Sequence, residues 1–323
     1  MTAPIIFDLR GKRVFVTGHA GMAGSAIVRR LEQEGCDIIF AARRDLDLRQ
    51  SDQVDRFMAQ AKPDAVFAAA GKVGGISANS ALPAEFIADN IAMALNTIRA
   101  AHHCGVKKLL YLGSSCIYPR LAPQPMSPEM LLSGPLEPTN QWYAIAKIAG
   151  IKLCEAFRLQ YGADFVSVMP TNIYGRGDNY DLESSHVPAA LMRRFHEAKI
   201  NGIARVAVWG TGSPQREFLS ADDLADACVF VMKSYSQLEF LNVGTGEDTT
   251  IAEFARLVAD VVGYRGEIMF DTSQPDGAPR KLLDVSRINA LGWSAKTPLQ
   301  DGLQVMYADF QARYDAIRAG TDK

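Results

Sequence analysis

The sequence predicts an α/β protein built on a doubly wound parallel sheet with a smaller α/β lobe, and three observations carry that prediction. Apolar, β-rich runs alternate with segments of helical periodicity through the first half of the chain. Runs such as Val14-Phe15-Val16 and Ala65-Val66-Phe67-Ala68 are apolar at nearly every position, as strands covered by helices on both faces must be. The first run is joined to the first helical segment by a glycine-rich turn. In order, the elements are a strand from Arg13 to Thr17, a helix from Met22 to Glu34, strands from Asp37 to Ala42 and Ala65 to Ala70, a helix from Ala84 to His103 and a strand from Leu109 to Leu112. A Pro-rich loop from Pro119 to Pro138 follows, of the length that tends to carry function. A long helix from about Gln141 to Tyr161 and a strand from Phe165 to Met169 come next. Beyond Asn179 the segments shorten: Val206 to Trp209 and Phe240 to Val243 read as strands, and Thr250-x-x-Glu253 is a capping box opening another helix. The expected division is 1–178 plus about 216–248 for the first unit and about 179–215 plus 249–323 for a smaller, discontinuous substrate lobe.

Composition narrows the function classes. Over 323 residues, 48% hydrophobic and 22% charged residues describe an ordinary globular protein with a sizeable core. A formal charge of -2 supplies no broad positive field, so a nucleic-acid partner is not expected. No apolar run reaches the roughly 20 residues of a membrane span. The five cysteines, Cys36, Cys104, Cys116, Cys154 and Cys228, have neither the number nor the spacing of a disulfide framework or a zinc site. A cytoplasmic protein without a metal is the expectation.

The turn after the first strand reads Gly18-His19-Ala20-Gly21-Met22-Ala23-Gly24. A GxxGxxG turn between strand and helix lets backbone approach a pyrophosphate, whose charge meets the helix N-terminus, so Gly18, Gly21, Met22 and Gly24 point to dinucleotide binding on a Rossmann-type sheet. The second strand ends Ala41-Ala42-Arg43-Arg44, where an NAD-selective site usually places a carboxylate. Arg43 and Arg44 suit a 2′-phosphate and so NADP(H), although solvated loop arginines give the same pattern, and Asp45 and Asp47 follow closely.

Tyr143 and Lys147, four residues apart on the long helix, share a face. A lysine ammonium there favours the phenolate and should lower the tyrosine pKa toward neutrality. Ser114, just past the strand ending at Leu112, can hydrogen-bond a reacting carbonyl beside Tyr143. Cys116 and His186 read by themselves more readily as an inert core thiol and a structural imidazole than as catalysts.

The stretches GHAGMAGSA (18–26), KVGGI (72–76), LGSSCIYP (112–119), EPTNQWYAIAKIAGIKLCE (137–155), MPTNIYG (169–175), SHVPA (185–189), REFL (216–219) and KLLDVSR (281–287) resemble the extended short-chain dehydrogenase/reductases, and within them the GDP-L-fucose synthase family. The resemblance implies a reductase triad of Ser114, Tyr143 and Lys147, with Cys116 as base and His186 as acid in epimerisation. It implies Pro170 against the nicotinamide end, Asn172 facing substrate, and Arg194, Trp209, Arg216 and Lys281 holding the GDP portion. The implied substrate is GDP-4-keto-6-deoxy-D-mannose, epimerised at C3 and C5 and then reduced at C4 with NADPH. Alternatives are another GDP-linked deoxysugar or heptose, or an NADP(H) sensor without turnover. The family pairs helices into a homodimer, for which Ile145 and Ile151 are candidates. Ala20, Gly71 and the dipeptide Gln141-Trp142 depart from the family pattern.

Overall fold

A computed structural model of the chain describes residues 3–181, 184–274 and 276–321, and the expected division runs beyond them at 1–2, 182–183, 275 and 322–323. The strands β1 (Arg13–Thr17), β2 (Asp37–Ile39), β3 (Ala65–Ala68), β4 (Lys108–Leu112) and β5 (Asp164–Pro170) alternate with helices α1 (Met22–Leu31), α2 (Ser51–Ala61), α3 (Ile76–Ala81), α4 (Pro83–His103) and α5 (Gln141–Tyr161). Next come β6 (Asn172–Tyr174), α6 (Val187–Ile200), β7 (Arg205–Trp209), β8 (Gln215–Arg216), β9 (Phe218–Ser220), α7 (Ala221–Ser234) and β10 (Leu241–Val243). The chain ends with β11 (Thr249–Thr250), α8 (Ile251–Val262), β12 (Glu267–Asp271), β13 (Arg280–Lys281), α9 (Ser286–Ala290) and α10 (Leu299–Arg318).

Six strands form one parallel sheet in the order β2-β1-β3-β4-β5-β10. The direction of winding reverses between β1 and β3, and ligands of such sheets bind in the crevice outside the strand ends at that switch point. The sequence boundaries mostly hold to within a few residues. The first helix stops at Leu31 because the chain turns through Gly35 at φ 65°. The second strand stops at Ile39, and the third at Ala68 because Ala70 leaves the ladder to donate its N–H to Thr17 Oγ1 at 3.0 Å. Two helices not read from the sequence, α2 and the short α3, precede α4, while α5 has the predicted bounds and ends on Gly162 in the left-handed region. The capping box forms, with Thr250 and Glu253 each satisfying the other's backbone N–H.

Two apolar clusters organise the interior. One surrounds the six-stranded sheet, and the other joins α6, α8, α10 and β7 around Phe195, Phe254 and Phe310. Leu283, Val285, Ile288 and Trp293 pack into the first cluster, although they lie in the half of the sequence expected to form the smaller lobe. Glu217, fully buried between the two, accepts N–H bonds from Gly246 at 2.8 Å and Leu283 at 3.0 Å. Its backbone oxygen accepts from Asn172 Nδ2 at 2.9 Å and Thr171 Oγ1 at 3.2 Å. Ile151 is buried in the first cluster instead of facing outward, whereas Ile145 is exposed. Among the described residues no helix is long and apolar enough to cross a membrane.

Candidate active site

The switch point opens into a cleft of about 800 Å³. Its cofactor end is built from backbone. Gly18 has φ 69°, a conformation costly for residues with a Cβ, and a Cβ on Gly24 would lie 2.0 Å from the Gly18 carbonyl oxygen. Gly21 caps α1 without a side-chain hydrogen bond, and Met22, Ala23 and Gly24 of the first turn line the cleft, so their N–H groups and the helix dipole are available to an anion. This cradle fits a dinucleotide pyrophosphate. Arg43 lines the same end, but Arg44 does not: it turns to solvent, 88% exposed, toward Asp45 at 3.6 Å.

The other end is built from side chains carried by separate elements. Ser114 and Cys116 follow β4, Tyr143 and Lys147 sit in the first two turns of α5, and Pro170 and Asn172 flank the end of β5. His186 precedes α6, while Arg216 ends β8 and Lys281 ends β13 beside it in the same small sheet. All nine line one cleft. Ser114 Oγ accepts the Cys116 N–H at 3.5 Å as the cap of a 3₁₀ turn, which fixes the hydroxyl next to the thiol. Lys147 Nζ donates to the Leu112 carbonyl at 2.8 Å, 5.0 Å from the Tyr111 ring centre and 5.7 Å from that of Tyr143.

Burial dominates the electrostatics here. It raises the Tyr143 pKa well above that of a free phenol, with the neighbouring Cys116 adding to the shift and the Ser114 hydroxyl opposing it. The same desolvation lowers Lys147 to about 8, against the pull of Cys116. The expected lowering of Tyr143 by Lys147 is therefore corrected: taking a phenolate out of water costs more than an ammonium 5.7 Å from the ring centre returns. Cys116 is raised by burial, which its hydrogen bond to Ser114 and the charges of Lys281 and Lys147 only partly offset, and it rests as a thiol. His186 is open to solvent at the cleft, yet protein surrounds it closely enough that desolvation lowers its pKa and favours the neutral imidazole. Arg216 and Lys281 are half-buried cations, both lowered by desolvation first.

Arg194 and Trp209 are not among the residues lining this cleft. The guanidinium lies 5.5 Å from the indole ring centre, and together they line a separate shallow depression on the smaller lobe. Trp209 is 58% exposed, because β7 alternates its faces and puts this end of the strand outward. Sequence reading passed over Asp178, which lines the cleft 4% exposed with Oδ2 lacking a hydrogen-bond partner, so that desolvation pushes it up to about 7. A lone acid in a loop has no periodic signal, and only its flanking Gly177 marked the position.

The pattern of the NAD dependent epimerase/dehydratase family matches residues 14–244. The chain belongs to that family. A GDP-L-fucose synthase of Sinorhizobium fredii is 54% identical, over 94% of this chain and 97% of its own. Among solved structures, a GDP-6-OMe-4-keto-L-xylo-heptose reductase from C. jejuni superposes with a TM-score of 0.88 at 34% identity, covering 94% of this chain and 98% of its own. A GDP-L-fucose synthetase from Naegleria fowleri bound to NADP gives a TM-score of 0.87 at 26% identity, with 98% of each chain covered. Within the family the chain is an NADP(H)-dependent oxidoreductase and epimerase of the GDP-L-fucose synthase group.

Proposed function

We propose that the protein converts GDP-4-keto-6-deoxy-D-mannose to GDP-L-fucose by inverting C3 and C5 and then reducing the C4 ketone. The observation that carries this reading is the convergence of Ser114, Cys116, Tyr143, Lys147 and His186 on the cleft that holds the glycine cradle. When bound, NADPH supplies the hydride that reduces C4. The C4 carbonyl acidifies the hydrogens on C3 and C5, so a neighbouring base can remove one and leave an enolate, which Ser114 Oγ and the Tyr143 hydroxyl stabilise by donating hydrogen bonds. Reprotonation from the opposite face inverts the centre. Cys116 and His186 are the proposed pair for these transfers. Their resting forms, a thiol and a neutral imidazole, are the reverse of a thiolate base and an imidazolium acid, so a proton passes from one to the other as that assignment operates.

The raised Tyr143 pKa serves the last step. A phenol that keeps its proton at neutral pH is ready to give it to the alkoxide that forms at C4, whose own proton affinity is far higher. Lys147, held on the Leu112 carbonyl, contributes positive charge beneath this reaction. Arg216 and Lys281 take the GDP diphosphate, the guanidinium through a two-pronged donor face and the ammonium as a point charge. The first unit then carries the dinucleotide, and the smaller lobe closes on the GDP-sugar from the other side with His186 and Lys281. Exposed Leu95, Trp142 and Ile145 on the paired helices α4 and α5 support a homodimer, and the five free thiols suit the cytoplasm.

A second reading is supported by the likeness to the heptose reductase: reduction of another GDP-linked 4-keto sugar without epimerisation. Incubation with GDP-4-keto-6-deoxy-D-mannose and NADPH in D2O separates the two by NMR. The first reading expects GDP-L-fucose carrying deuterium at C3 and C5. A reduced sugar with protium at both carbons would leave only the second.

A further inference from the structure

Asn140 occupies a capping position and does not cap. It stands at the start of α5, where an asparagine side chain ordinarily accepts a backbone N–H of the first helical turn. Here the side chain makes no such bond. Its Oδ1 is buried without a hydrogen-bond partner, and among the described residues its Nδ2 has none either. A buried amide left unpaired is costly unless a ligand completes it. Asn140 lines the cleft together with Ser114, Cys116 and Tyr143, so a ligand in the sugar end can reach it.

The backbone that presents this amide is fixed. The Asn140 N–H donates to the Glu137 carbonyl at 3.2 Å, and the Asn140 carbonyl accepts the Ala144 N–H at 3.0 Å. Glu137 Oε1 accepts from Thr139 Oγ1 at 3.2 Å, while Oε2 lies 3.2 Å from Arg120 Nε, so the turn is rigid before any ligand arrives. Its place also selects a part of the sugar. Tyr143, which serves the C4 oxygen, is three residues on and shares the same helix face. On the other side Glu137 faces the diphosphate cations: burial lowers Arg216 and Lys281, and Glu137 is among the charges that oppose it. The turn therefore lies between the C4 oxygen and the phosphate on C1. Of the two edges joining those atoms, only the one through C2 and C3 carries hydroxyls in a 6-deoxy sugar, and the C3 hydroxyl is the neighbour of the ketone. A primary amide can both donate to a hydroxyl and accept from it.

We propose that Asn140 is a specificity-determining residue that binds the C3 hydroxyl of the GDP-linked 4-keto sugar and so discriminates against 3-deoxy analogues. The inference rests on reduction of a 4-keto sugar in this cleft and holds whether or not C3 and C5 are inverted first.

Steady-state NADPH oxidation with GDP-4-keto-6-deoxy-D-mannose and with its 3-deoxy analogue tests it, since ketone reduction alone reports on both sugars. The unsubstituted protein should favour the hydroxylated sugar in kcat/KM by about hundredfold or more, because the analogue leaves the amide unpaired. Equal values for the two sugars would overturn the proposal. Asn140→Leu keeps the volume and loses both polar atoms, so the preference should shrink to within about tenfold. Asn140→Ser is as good a helix cap but too short to reach the sugar, and its preference should shrink equally. If Asn140 served only the helix, the serine variant would keep the full preference, and that result overturns the proposal. So would variants slowed on both sugars alike with the ratio intact. Should Asn140→Leu not fold, Asn140→Ser decides by the same ratio.

Discussion

The two ends of the cleft are made by different means. The cofactor end is backbone, with a positive-φ glycine, a close glycine contact and the open N-terminus of α1, all within seven consecutive residues. The sugar end is side chains, delivered by β4, α5, β5, α6, β8 and β13 from positions between Ser114 and Lys281. A backbone site tolerates almost no added atom, whereas a side-chain site fails one function at a time. Substitutions on each side should therefore break in different ways.

The largest effect expected is at the sugar end and is selective. Tyr143→Phe removes the proton given to C4 and should slow NADPH oxidation by about 10²- to 10⁴-fold while NADPH still binds, measured by steady-state rates beside fluorescence titration. An unaffected rate would deny Tyr143 its role. At the cofactor end, Gly24→Ala forces a Cβ to within 2.0 Å of a carbonyl oxygen that cannot leave without moving the loop. Overpacking of about 1–3 kcal/mol should appear as a ten- to hundredfold weaker NADPH Kd, with the sugar affinity of the surviving protein little changed. Arg216→Lys keeps the charge and loses the fork, so KM for the GDP-sugar should rise about tenfold with cofactor binding intact. If it weakened NADPH instead, the division between the two ends would be misplaced. The smallest effect is in pH. Lys147 loses its proton as pH rises through about 8, so kcat for ketone reduction should hold below that value and decline above it. A rate that climbs steadily from pH 8 to 9 would show that the ammonium is dispensable.

The same contrast decides how much the sequence revealed. The glycine cradle and α5 were legible because each is local: a turn whose residues touch one another, and a helix whose periodicity and i,i+4 pair are contiguous. The bounds of α5 and the Thr250–Glu253 capping box followed directly from such patterns. Arg216 and Lys281 reach the cleft only because β8 and β13 pair, a long-range event with no signature in either dipeptide. Arg44 shows the converse, since residue type alone did not reveal which face of the loop it occupies. The Tyr143 pKa was misjudged for a related reason. Spacing along a helix reports which partner is near, but desolvation depends on everything else packed around the group.

Glu217 has a consequence for how a nucleotide-sugar gets in. Its carboxylate and carbonyl together hold Thr171, Asn172, Gly246 and Leu283, drawn from three distant stretches of the chain, so pulling those stretches apart would strand a dry acid and four orphaned donors. That makes Glu217 a fixed joint beneath the cleft, and leaves admission to the rim, where the Gly75 N–H meets the Ser184 carbonyl at 2.9 Å. Hydrogen exchange should find Gly246 and Leu283 slow and Gly75 fast, and the reverse order would place the motion at the Glu217 joint.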